Sequence, residues 1–237
     1  MLFSGKIIAL AGSLLFGAPE ANVKKAKEDF AATNKVFSSE KFSVEMTYYF
    51  YEEQVPSKPV DTKTGVFYRW KQSDYSKLMD IETLHTPELT ITSNVEERIM
   101  IVNGPVSKLS KPSVGVDTLL RLCKDIIITD LPDKTRKYEL VFHSTQDFKK
   151  IEMVFDPETH RLKKITMLFW QQDKVLENGE IQKINPKMEI LYGNYDKTDV
   201  TKLGVFSSDR YVTKIGENTY KTAGKYSSYT IYNQKLK

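Results

Sequence analysis

Apolar and polar residues alternate with a period of two across residues 42–51. Phe42, Val44, Met46, Tyr48 and Phe50 interleave there with Ser43, Glu45, Thr47, Tyr49 and Tyr51. This pattern predicts a long strand with one strongly apolar face and Ser43 on the other. Immediately upstream the period is helical: Val23, Ala26, Phe30 and Phe37 share one face of an amphipathic helix over about 23–38. Beyond the Pro-rich run at 55–65, a second strand is expected at 65–71, with Val66, Tyr68 and Trp70 on one side. Ser73-Asp74 reads as a tight turn, followed by strands at 75–81, 89–93 and 98–103. After a Ser/Lys/Pro loop at 105–113, Val116, Leu119, Leu120 and Cys123 recur at i, i+3, i+4 and i+7, which predicts a second, short helix. Strands resume at 125–130, 137–144, 149–155, 161–171 and 188–195, with turn signals at 156–160 and at Asn178-Gly179. The tail is Tyr-rich, with a last strand expected at 226–233 and Tyr226, Tyr229 and Tyr232 as exposed contact residues. The expected class is α+β, built on a large, curved, mostly antiparallel sheet.

The N-terminus departs from these patterns. Lys6 precedes an apolar run at 7–16, and Gly17, Ala18 and Ala21 supply small residues after it. That order predicts a secretory signal peptide over residues 1–21, leaving one domain over 22–237. The apolar run is short for a bilayer span, and no Cys lies near residue 21 to accept a lipid. An exported protein in turn argues against nucleic-acid or ATP-dependent roles.

Composition adds little to this. The net charge of +4 is spread along the 237 residues, so no polyanion-binding block stands out. The single cysteine, Cys123, forms no internal disulfide and sits among leucines, as a buried structural thiol does. His85, His143 and His160 lack metal-ligand spacing, and no nucleophile elbow or phosphate-binding Gly-rich loop is present. The sequence therefore predicts no catalytic residues, no metal, no cofactor and no enzyme activity.

Three stretches carry a family resemblance: KEDFAATNKVFSSEKFSVEMTYYF (27–50), TGVFYRWKQSDYSKLMD (64–80) and FKKIEMVFDPETHRLKKITM (148–167). With the order helix, long strand, Gly-initiated aromatic strand, helix, hairpins, they resemble the periplasmic lipoprotein-carrier (LolA-like) superfamily. The Tyr-rich tail suits its longer Bacteroidota type. The resemblance implies an unclosed β-barrel with helices covering the concave face, located in the periplasm. It implies as cargo an acylated lipoprotein or lipid, lying against Phe42, Val44, Met46, Tyr48, Phe50, Val66, Tyr68, Trp70, Leu119 and Leu120. Lys71 stands where the family places a basic latch residue, although Lys offers a point charge rather than a planar fork. A sixteen-carbon chain buried in such a cavity gains at most about 12 kcal/mol, at about 0.8 kcal/mol per methylene. The alternative role is a structural or protein-interaction module of the envelope, on the same fold, with an envelope protein as partner and no lipid cargo.

Overall fold

The computed structural model describes residues 19–55, 58–104, 116–217 and 219–233. The signal-peptide expectation and the 105–113 loop lie almost wholly outside them. Helix α1 (Glu20–Phe37) starts after Pro19 and buries Ala26, Phe30 and Thr33. A cut after Ala21 would fall within its first turn. Twelve strands form one sheet. They begin with β1 (Lys41–Tyr51), β2 (Asp61–Trp70), β3 (Ser73–Leu78), β4 (Ile81–His85), β5 (Thr90–Asn94) and β6 (Ile99–Asn103). After α2 (Val116–Arg121) come β7 (Cys123–Asp130), β8 (Arg136–Phe142), β9 (Phe148–Phe155) and β10 (Leu162–Phe169). A separate hairpin, β11 (Gln172–Val175) with β12 (Ile181–Ile184), precedes β13 (Lys187–Gly193). The tail contributes a small hairpin, β14 (Val212–Gly216) with β15 (Thr219–Thr222), and the edge strand β16 (Thr230–Asn233).

The sheet runs β16-β6-β5-β4-β3-β2-β1-β13-β10-β9-β8-β7. Every pair is antiparallel except β16 with β6, which is parallel, so the sheet is mixed. Strands β6 and β7 are successive along the chain but lie ten places apart in this order. The sheet stays open, because β7 and β16 do not pair.

The register separates two faces. On one, Phe42, Val44, Met46 and Tyr48 of β1 share a side with Gly65 and Phe67 of β2 and with Ile190 and Tyr192 of β13. The same side carries Ile165, Ile151, Tyr138, Leu140 and Ile126 toward the β7 edge. Helices α1 and α2 cover this helix-side face: Ala26, Phe30 and Leu120 pack with Cys123, Ile126, Tyr138, Leu140, Phe142 and Phe155. The other face, over β2–β6, is covered by the tail. Tyr75, Leu84, Ile91, Met100 and Val102 pack beneath Tyr211, Val212 and Tyr226. The tail therefore acts as a strap, and the protein has two cores on opposite faces of one sheet.

Charged residues fasten each cover. Asp29 of α1 accepts hydrogen bonds from Lys25 (2.8 Å), from the Arg136 guanidinium (3.0 Å) and from the Tyr138 hydroxyl. Burial alone would raise the Asp29 pKa, but these donors outweigh it and hold the carboxyl below its ordinary 3.8. A depressed carboxylate stabilises the fold above its unfolded pKa and loses that contribution as pH falls through the folded value. We expect acid melts below about pH 4 to flatten in Asp29→Asn, with wild type and variant converging at the acid end. On the strap side the buried Glu82 carboxylate accepts the Tyr226 hydroxyl at 2.6 Å, with Lys225 and Lys77 Nζ at 3.6 and 3.7 Å. Edge strand β7 is also guarded: Asn22 donates to the Ile126 carbonyl at 2.7 Å, and Asp125 accepts from the Ile126 N–H at 2.8 Å. Edge groups satisfied in this way are poor templates for a further strand.

Several sequence expectations need correction. The turn expected at Ser73-Asp74 lies at Lys71-Gln72, with Lys71 at φ 56°, and Ser73 opens β3. The strand expected at 75–81 ends at Leu78, and after a turn at Met79-Asp80, where Met79 takes φ 53°, Ile81 opens β4, which the sequence did not predict. Neither turn carries Gly, Pro or Asn at its positive-φ position, so the usual signals are missing. Cys123 ends no helix but starts β7. Tyr226 and Tyr229 precede the last strand rather than forming it, and Tyr226 is fully buried instead of exposed. Ser43 is not on a solvent face. It is buried under the loop that follows β13, where its Oγ accepts from the Thr198 N–H (3.3 Å) and its carbonyl from the Asp196 N–H (2.9 Å).

Candidate functional site

Where α1 ends, the helix-side face opens. Phe37, in the last turn of α1, lies over β1 and β2, with ring centroids 5.0 Å from Phe42 and 6.4 Å from Phe67. Beside it is a cleft of about 330 Å³ lined by Phe37, Met46, Tyr48, Phe67, Ser76, Leu78 and Tyr192. Val66 and Lys77 also border it, although the register turns their side chains toward the strap. The lining is aromatic and aliphatic, with Ser76 and two phenols as its polar groups.

Gly65 shapes the floor. A Cβ there would sit 3.1 Å from both the Tyr48 ring and the Lys77 carbonyl, and 3.4 Å from Leu78. The missing side chain makes room for the Tyr48 ring. Burial raises the pKa of the Tyr48 hydroxyl, and burial with Tyr48 and Tyr195 nearby raises that of Tyr192, so both stay neutral. No ionised group of the lining opposes an apolar ligand except Lys77, whose chain leans away.

The sequence-derived lining set divides under this geometry. Met46 and Tyr48 line the cleft, and Phe42 and Val44 lie beneath Phe37 as closed core, 1% and 0% exposed. Phe50 is half-buried on the same face, opposite Met188. Tyr68 and Trp70 lie on the strap side with Val66; Tyr68 stacks on Tyr75 at 5.9 Å. They do not share a face with the β1 set, because Phe42 pairs with Arg69 and Val44 with Phe67. Leu119 and Leu120 pack into the α1 core and do not line the cleft. Lys71 is exposed in its turn; its N–H donates to the Glu40 carbonyl at 2.7 Å and its Nζ lies 5.3 Å from the Trp70 ring. Phe37, Phe67, Leu78 and Tyr192 were not anticipated as lining. Phe67 alone left a trace, as the apolar residue of opposite parity within VFYRW.

Catalytic groupings are few. Burial pushes the Cys123 thiol up to about 11, so it remains a protonated core group. Among the described residues no three His, Cys, Asp or Glu side chains converge as metal ligands, and no helix is long and apolar enough to cross a membrane.

No protein-family model matches the chain, and no curated protein does. Solved structures give similarities. An uncharacterised conserved protein of Thermus thermophilus aligns over 89% of this chain and 99% of its own, at 11% identity and a TM-score of 0.46. A LolA superfamily protein of Nitrosomonas europaea aligns over 79% and 98%, at 11% identity and a TM-score of 0.32. Lipoprotein LppX of Mycobacterium tuberculosis aligns over 74% and 97%, at 8% identity and a TM-score of 0.41. The second belongs to the family that the sequence resembles. At such identities and scores the likeness carries nothing about ligands, and the open α+β architecture rests on the register described above.

Proposed function

We propose that this protein is an exported carrier or sensor of a hydrophobic, acyl-bearing ligand, non-enzymatic, holding the apolar tail in the cleft between Phe37 and strands β1–β3. The observation that carries the reading is the cleft itself: an open apolar space on the face whose β7–β10 part the helices bury. An ordinary core closes such a space, because unfilled apolar volume costs stability. The pliable Met46 and the terminal turn of α1 give the lining room to adjust. Export through the 1–21 signal peptide and residence in the periplasm belong to the same proposal. The interaction-module alternative loses its main support with Tyr226 buried, although Tyr232 remains 54% exposed on β16.

The test is displacement of N-phenyl-1-naphthylamine, an environment-sensitive apolar fluorophore, by long-chain amphiphiles. Wild type should bind the fluorophore and release it to them. Leu78→Asp, which places a charge in the half-buried cleft wall, should weaken both by about tenfold or more while circular dichroism stays native. No fluorophore binding by folded wild type, or equal binding by the variant, would refute the reading.

A further inference from the structure

The cleft does not end at its apolar lining. Ser76, which belongs to it, stands directly opposite Thr83 on β4, and Thr83 stands opposite Thr92 on β5. The three hydroxyl side chains form a straight row on the helix-side face, about 10 Å long at about 4.8 Å per strand. All three are half-buried. No described residue hydrogen-bonds their side chains, and their partial exposure leaves them open to a ligand. The ionisable groups on this face have partners of their own: Asp74 is held by the Arg69 guanidinium, Lys63 lies 3.4 Å from Asp61, and His85, two residues from Thr83, has its Nδ1 2.8 Å from the Thr90 hydroxyl oxygen. Lys77 and Glu82 point to the strap face. One end of the site is therefore apolar, and the other presents hydroxyls without net charge.

Resting on the carrier reading above, we propose that the ligand is an uncharged amphiphile with a hydroxyl-bearing head, of the acylglycerol kind. Its tail occupies the Phe37–Leu78 cleft and its head exchanges hydrogen bonds with Ser76, Thr83 and Thr92. Hydroxyls both donate and accept, so a row of them matches a polyol head. A carboxylate, phosphate or ammonium head would have to be desolvated there without a counter-charge, which disfavours it. Selectivity then lies in β3–β5, and apolar affinity in β1–β3.

The experiment compares monopalmitoylglycerol, palmitate and hexadecyltrimethylammonium as displacers of the same fluorophore, all below their critical aggregation concentrations. Monopalmitoylglycerol should act at about tenfold lower concentration than the two charged ligands. The Thr83→Val/Thr92→Val double variant keeps the β-branched shape these strands favour. It should lose about tenfold for monopalmitoylglycerol, the expected worth of two hydrogen bonds, and shift the charged ligands by less than about twofold. Equal or better binding of palmitate or the ammonium ligand would overturn the head-group assignment and leave the carrier reading standing. An unchanged ratio in the double variant would do the same. Failure of all three to displace a bound fluorophore would overturn both.

Discussion

Val44→Asp should abolish the native fold at neutral pH. Val44 is fully buried on β1, between the end of α1 and the centre of the sheet, and its opposite neighbour on β2 is Phe67. The nearby cation on this face, Arg69 over the Phe67 ring, already pairs with Asp74 and is not free to neutralise a new carboxylate. Desolvating an unpaired charge costs several kcal/mol, comparable to the whole stability of an ordinary domain. The informative companion is Ser43→Asp. The alternating pattern places Ser43 toward solvent, but the structure buries it under the loop after β13, beside Asp196. Thermal melts by circular dichroism should show no cooperative transition for Val44→Asp and a clearly lowered midpoint for Ser43→Asp. A wild-type midpoint for Ser43→Asp would contradict the burial of this second side of β1.

The second large effect concerns the strap. Tyr226 is completely buried, stacks on Tyr211 at 5.1 Å and donates its hydroxyl to Glu82. Burial, then the hydrogen bond to Glu82, pushes its pKa far up, so it stays the donor at any ordinary pH. Tyr226→Ala removes a large ring from a closed core and should cost about 3–5 kcal/mol. Tyr226→Phe removes only the donor to a carboxylate and should cost about 1.5–3 kcal/mol. Both should speed hydrogen exchange over 205–230 and at β3–β5 beneath, with α1 and β7–β9 much less affected, because the two cores share only the sheet. Uniform acceleration across the chain would mean that the strap is not a separate cover.

What the sequence disclosed depended on how many faces of an element are buried. Strand β1 was legible where its apolar side faces α1 and a largely polar side faces away. The α1 stripe at Val23, Ala26, Phe30 and Phe37 was legible for the same reason, and the observed helix covers 20–37. Strand β2 was not. In VFYRW both parities carry large apolar residues, since Phe67 meets Phe37 while Val66 and Tyr68 meet the strap. Periodicity alone then cannot assign faces, and Val66, Tyr68 and Trp70 read as partners of the apolar β1 set although the register turns them to the other face. The strap was hidden because tyrosine serves buried and exposed positions equally well. Tyr226 reads as a contact residue until its partner Glu82, 144 residues away in the chain, is known. The cleft was legible only in part, because two of its walls, Leu78 and Tyr192, come from strands whose neighbours are set by topology.

The claim that this open face holds an acyl-bearing ligand is tested most directly by native mass spectrometry of the full protein, purified without detergent from the envelope of its source organism. A fraction of wild-type protein should carry the added mass of a long-chain amphiphile, and Leu78→Asp prepared in parallel should carry none. Ligand-free wild type throughout, or the same adduct on both proteins, would contradict the account.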